Sequence, residues 1–459
     1  MMKLKPAALI FALIASMILS PLAFAQSEEK PDHYVRALAA GYKAQFICSG
    51  LWNGWKNISD IEADELTGIY DRIAAIVPTL KVDIDETERQ VHVAYRENHS
   101  PRTAIWNRQT GCTAMPINFG GLKTGAPVKL REFSDDLAWP MGDRDAMGVP
   151  GSSPPQLSQI VEAASNNTRY GGKTSAVLVI SDDKILIEAY KSGHDLHTAQ
   201  RTWSVAKSIA GTLIGHSVQE GFSDVNAPAK ILQWMKFGDP RKHITLDNLM
   251  RMSSGLTSDT AGNRTDPIYM GGASVTERAT SWPLLHKPGS RFRYANNDTL
   301  LAVHAARSGR FEPYSLFQKL GMTRTYAETD WQDNYILSSQ VWTTARDLGR
   351  LGMLYLNNGM WPYGAEGDER LLPENWLAYV SDPAGPQPDR EFGYGATFWL
   401  MNNTPGVPKD TIGAFGNRGQ YLIIIPSMDV VIVRRGYDSR ATRFDIAAFT
   451  IDVVKALGS

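Results

Sequence analysis

Ser204 and Lys207 stand three positions apart at the head of an apolar run, Ile209-Ala210-Gly211-Thr212-Leu213-Ile214. In a helix, residues i and i+3 share a face, so the amine can reach the hydroxyl. A helix start also offers free backbone N–H groups and positive potential, the surroundings a developing oxyanion needs. An amine among apolar side chains loses proton affinity by desolvation and can then act as a base towards a serine nucleophile. The spacing alone is a weak signal, because the chain holds three Ser-x-x-Lys patterns. Residues 27–30 fall in a polar tail and 181–184 in a hairpin turn, so neither opens a helix; a helix is expected over 203–220.

About 90 residues further on, a Pro288-Gly289 turn leads into Tyr294-Ala295-Asn296. A phenol whose pKa is lowered by a neighbouring lysine could take the serine proton. Asn296 could hold the lysine or a substrate amide. Taken separately, each element also fits a buried aromatic and a turn asparagine.

The set Ser204-x-x-Lys207, Tyr294-x-Asn296 and a late glycine-bearing segment, Gly413-Ala414-Phe415-Gly416-Asn417-Arg418-Gly419-Gln420-Tyr421, resembles the penicillin-recognising serine hydrolases. That group includes class C β-lactamases, DD-peptidases, related esterases and 6-aminohexanoate-oligomer hydrolases. Residues 244–256, 320–322 and 344–350 support the resemblance, which spans roughly residues 155–457 and leaves the first 130 outside. It implies that Ser204 attacks a carbonyl and is acylated, that Tyr294 with Lys207 moves the proton to the leaving group, and that the Ser204 amide forms half of an oxyanion hole. This late segment lacks the Lys-Thr-Gly that β-lactamases and peptidases carry on the strand lining the site. Gly416-x-x-Gly419-Gln420 is closer to the esterase and 6-aminohexanoate-hydrolase branches. This implies Asn417 as the second oxyanion donor, with Gly416 and Gly419 beside the substrate. Counting back from Pro426 against the β-lactamase strand selects Ala414 instead; Asn417 is preferred. Arg418 could stand in for the missing lysine, but is expected to be solvated. Hydrolysis of a small ester or amide follows, with β-lactamase or DD-peptidase activity, or a non-catalytic binding protein on the same fold, as the alternatives. Ser, Lys and Tyr suffice for acyl transfer, so no cofactor or metal is expected.

The elements that must position these groups are legible as periodicity. Helical spacing marks residues 33–46, 62–76, 156–165, 345–356 and 443–456; strand patterns mark 82–95, 175–180, 184–190, 394–401, 421–425 and 430–434. Two strands precede and three follow a helical block at about 203–360, which predicts an α+β, β-lactamase-like architecture: a five-stranded antiparallel sheet flanked by terminal helices, with an inserted helical domain. The Pro/Gly/Ser-rich stretch at 148–155 divides an N-terminal extension or cap, 26–150, from a hydrolase domain, 151–459.

Residues 1–25 read as a signal peptide: Lys3 and Lys5, an apolar run over 7–19, then Ala23-Phe24-Ala25. A periplasmic or secreted bacterial protein, without a membrane anchor after cleavage, is expected. In that compartment the two cysteines, Cys48 and Cys112, invite a disulfide. Closing such a loop stabilises by about 4 kcal/mol in the chain-entropy model. With 47 basic and 48 acidic side chains and no basic run, nucleic acid is not an expected partner. The partner expected is a small-molecule ester or amide; oligomeric state is left open. The nine histidines form no metal-ligand motif, and His194 and His197, the one close pair, are expected in a surface loop. There is no Gly-x-Ser-x-Gly elbow.

Overall fold

The computed structural model describes residues 32–119, 133, 135–148, 154–257, 265–307, 311–364 and 367–458. The expected signal peptide lies outside the described residues, as does most of the boundary at 148–155. No helix among the described residues is long and apolar enough to cross a membrane.

The N-terminal unit is a long helix, α1 (Asp32–Trp52), on a four-stranded antiparallel meander, β1 (Val82–Asp85), β2 (Gln90–Val93), β3 (Arg102–Asn107) and β4 (Gly111–Ala114). The single strand-like stretch at 82–95 is thus a hairpin, and β3 and β4 have no counterpart in the sequence expectation. The helix expected over 62–76 is broken into Ile58–Asp64 and Asp71–Ala74. The first is capped at Glu65, and Gly68, at φ +64°, lies in the segment between the two. Cys48 on α1 and Cys112 on β4 are joined by a disulfide, with Cα atoms 6.1 Å apart.

The main unit starts with α2 (Pro155–Ser165), β5 (Thr174–Ser181) and β6 (Lys184–Tyr190). Next comes the helical block, with α3 (Val205–Gln219), α4 (Asn296–Ala306) and α5 (Ala345–Leu356). It ends with β7 (Gly393–Tyr394), β8 (Trp399–Leu400), β9 (Ile412–Gly416), β10 (Gln420–Ile425), β11 (Val430–Gly436) and α6 (Ile446–Leu457). The strands pair antiparallel in the order β7-β8-β9-β10-β11-β5-β6. The sheet therefore has seven strands rather than five. One extra strand comes from splitting the stretch expected at 394–401 into two two-residue strands, where Thr397 sits at φ +66°; the other is β9, which is not among the expected strands.

Alternation along the central strands sorts their side chains to two faces. Val177, Val179, Ile423, Ile425, Val430 and Ile432 join one core cluster with Leu157 of α2 and Phe449 and Val453 of α6. Leu178, Ile180, Leu422, Ile424, Val431 and Val433 join the other with Leu348 and Leu351 of α5. Helix α5 lies close on the sheet because it carries glycine at two contact points. A Cβ at Gly349 would lie 2.7 Å from Ile180 Cδ1, and one at Gly352 would lie 2.6 Å from Val431 Cγ1.

The N-terminal unit shares this second core and is not a separable cap over the cleft. Phe46 of α1 lies 6.3 Å, centroid to centroid, from both Trp203 and Trp342. One of its polar links to the main unit is Glu328. That wholly buried carboxylate accepts from Ser49 Oγ at 2.5 Å, Asn53 Nδ2 at 2.9 Å, Gln45 Nε2 at 3.0 Å and the Cys112 amide at 3.4 Å.

Candidate active site

Ser204 is the N-cap of α3, and the preceding Trp203 sits at φ +49°. An aromatic residue held in the left-handed region is a strained elbow, the kind of local cost that surrounding packing must hold in place. Here Arg201 supplies the packing. Its buried guanidinium lies 3.8 Å from the Trp203 ring centroid and 4.7 Å from that of Phe46, and its Nη2 donates to Ser339 Oγ at 2.7 Å. The helix begins two residues later than the apolar pattern suggests, which places Ser204 half-buried at the helix mouth rather than in its first turn.

Lys207 is buried beneath it. Its Nζ donates to Asn296 Oδ1 at 2.6 Å and to the Ser338 carbonyl at 2.8 Å, and lies 3.1 Å from Ser204 Oγ. Two acceptors take two of the amine hydrogens, so the third direction points at the serine hydroxyl. In the neutral amine that direction holds the lone pair. Desolvation, reinforced by the nearby Arg201 charge, lowers the Lys207 pKa to about 7. Asn296 thus holds the lysine, the first of its two expected roles; its Nδ2 donates to Thr265 Oγ1 at 3.3 Å.

Tyr294 is half-buried and places its ring 5.0 Å from Lys207 Nζ. Where a lowered phenol pKa is expected beside a lysine, burial instead pushes Tyr294 up to about 12, against the pull of its hydrogen bonds to Ser204 and Trp399. A lysine with a pKa of about 7 is only partly charged at neutral pH and exerts less of the field that would lower it. An aromatic wall continues from Tyr294 through Trp399 and Tyr394 to Phe415.

Strand β9 brings the third motif in. A Cβ at Gly416 would lie 2.4 Å from the Thr202 carbonyl and 3.3 Å from the Ser204 amide nitrogen, so only glycine lets the strand run against the Ser204 backbone. Asn417 follows at once and is exposed. Ala414 is buried in the ladder opposite Leu422.

Gly419 sits at φ +77°, where a Cβ would fall 1.9 Å from Arg434 Nη1, which itself donates to the Gly419 carbonyl. One residue of the motif differs from expectation. Arg418 is not solvated. It is 6 % exposed, sits at φ +59°, and its Nη2 donates to the Thr67 carbonyl of the N-terminal unit at 2.7 Å.

The histidine pair also departs from a plain surface loop. The His194 side chain is buried beside Tyr437, and desolvation together with Lys56 and Lys191 holds its pKa down to about 3. His197 Nε2 lies 3.1 Å from Asp143 Oδ2, in a group with Asp135 whose ligand atoms fall within 4.8 Å of one another. Arg324 takes both oxygens of Asp135, and Arg346 and Arg350 hold Asp143. Guanidinium groups therefore already neutralise both carboxylates, and the group is an ion-pair network.

Arg201, Thr265, Ser338 and Trp399 were not singled out by motif. Ser338 acts through its main-chain carbonyl, which every residue type has, so nothing in the sequence marks it.

The Beta-lactamase family model matches residues 157–434. The 6-aminohexanoate-dimer hydrolase of Paenarthrobacter ureafaciens is 27% identical over 300 residues, covering 57% of this chain and 72% of that protein. Among solved structures, a Bacillus anthracis protein described provisionally as a 6-aminohexanoate-dimer hydrolase superposes with TM-score 0.53 at 21% identity, over 65% of this chain and 82% of that one. EstCE1, a hydrolase with promiscuous acyltransferase activity, superposes with TM-score 0.51 at 14% identity, over 66% and 98% of the two chains. The family match covers the strands, the nucleophile helix and the tyrosine loop in one piece: the chain is a serine hydrolase of the beta-lactamase family.

Proposed function

We propose that the protein is an exported hydrolase that cleaves a small linear amide or ester through an acyl-enzyme on Ser204. The observation that carries this reading is the buried Lys207 amine, held by two acceptors and aimed at Ser204 Oγ with a pKa near 7. Lys207 Nζ takes the hydroxyl proton as Oγ bonds to the substrate carbonyl carbon. The negative oxygen that results is received by the Ser204 and Asn417 amides; the contact of Gly416 with the Ser204 backbone supports this choice over Ala414. The Tyr294 hydroxyl, a proton donor at neutral pH, passes a proton to the departing amine or alkoxide while Lys207 reloads it. Water then adds to the acyl ester, gives its proton to the same relay and releases the acid.

A linear amide is favoured over a β-lactam on two grounds. The 27%-identical relative is named for hydrolysis of an amide dimer. And Arg418, the cation of the late glycine-bearing segment, is tied to Thr67. Export is supported by the charged, apolar and small-residue pattern of residues 1–25 and by the disulfide. A fluorophosphonate probe should label the intact protein and not Ser204→Ala; absence of labelling in the intact protein defeats the enzyme reading. Turnover of nitrocefin as fast as that of short acyl esters or amides would reverse the substrate ranking.

Arg418 is a positioning residue in this scheme, because it fixes the turn that follows Gly416. Arg418→Met should lower kcat about tenfold or more with little change in KM, since an oxyanion donor acts in the transition state. Arg418→Lys, which can still reach the Thr67 carbonyl, should recover part of the loss. Equal falls in folded fraction and activity would reduce Arg418 to a packing role.

A further inference from the structure

Within the helical block, the segment from Ala229 to His243 forms a rigid knuckle with its apolar side chains outward. Ile231 and Trp234 are buried, and Trp234 Nε1 donates to the Thr280 carbonyl at 2.9 Å. Arg241 forks onto the Thr280 and Trp282 carbonyls, both at 3.0 Å, and is steadied by Asp239 at 2.6 Å. These anchors leave Leu232 79%, Met235 55% and Phe237 106% exposed on one short turn. Lys230 and Lys236 are exposed beside them, and Lys242 is partly so. The single acid of the segment, Asp239, is already paired.

We propose that this knuckle docks the enzyme on an anionic lipid surface. Three protruding apolar side chains present a few hundred Å², short of the roughly 800 Å² per partner of a stable protein interface. That area does suit shallow insertion at a headgroup boundary, where apolar tips enter and flanking lysines stay at the phosphates. The excess positive charge selects an anionic over a zwitterionic surface. The anchors beneath hold the side chains outward before binding, so little ordering is required on contact.

The test is sedimentation of the full protein with phosphatidylcholine vesicles, with and without one third phosphatidylglycerol. Partitioning should rise about 100-fold with the anionic lipid, as expected for three surface lysines, and fall again in high salt. Phe237→Asp with Leu232→Asp should abolish it, while hydrolysis of a soluble ester stays within twofold of the parent. Replacing Lys230, Lys236 and Lys242 by Gln should reduce binding to the zwitterionic level. Absent binding, or binding that survives the two aspartates, overturns the proposal. So does a concentration-dependent dimer that those aspartates dissolve, because the knuckle would then be an interface between two copies.

Discussion

Lys207→Met is expected to lower kcat on a short acyl ester by about 10²–10⁴-fold, the range of a positioned general base, with KM changing far less. The pH profile gives the sharper signature. The working form is the neutral amine, whose pKa is brought down to about 7 by burial and Arg201. Activity of the parent should therefore climb as pH rises through 7, and the residual activity of Lys207→Met should lack that limb. Stability carries the same group with its own sign. Between about 7 and the ordinary lysine value of 10.5 the unfolded chain binds this proton and the folded one does not. Folding stability on this account rises with pH across that window, and Lys207→Met should flatten the rise. A parent-like kcat, or an unchanged pH limb in the variant, would remove Lys207 from the base role.

The largest stability effect is expected at Glu328. Glu328→Ala leaves the donors of Gln45, Ser49, Asn53 and Cys112 without their acceptor in a closed core. Each buried donor left unsatisfied costs about 1–3 kcal/mol, enough over the cluster to lower the melting temperature by roughly 5–15 °C. Glu328→Gln separates titration from packing. Burial pushes the Glu328 carboxyl up to about 7, outweighing the donors from Ser49 and Gln45. A raised carboxyl contributes most below its unfolded value, near 4.5, and loses that contribution as pH rises towards 7. The parent should therefore gain stability relative to Glu328→Gln as pH falls from 7 to 5. A melting temperature for Glu328→Ala within about 2 °C of the parent would show that the two units do not depend on this carboxylate.

The same residues mark where sequence reasoning reaches and where it stops. Helix α5 was legible residue for residue, because a strongly amphipathic run opened by Thr344 has one reading. The hairpin at residues 426–429 followed from its turn chemistry, with Asp429 at φ +53°. The stretch at 394–401 misled, since an apolar alternation cannot reveal that Thr397 reverses the chain. Glu328 gave no signal, because one acid in a mixed stretch looks solvated until α1, nearly 280 positions earlier, closes over it.

The proximity of Ser204 and Lys207 was legible in the sequence, since i, i+3 spacing is a property of the helix and needs no tertiary contact. The pairing of Cys48 with Cys112 likewise followed from there being two cysteines. Tertiary structure decided the electrostatics. Arg201 and the closed core make Lys207, and not Tyr294, the group that titrates near neutrality. It also turned Arg418 from a solvent-facing side chain into a tie between the two units, and made the N-terminal helix part of the wall behind the nucleophile. Local spacing survives translation into three dimensions unchanged. Burial and charge fields do not, because they are summed over neighbours that only the fold brings together.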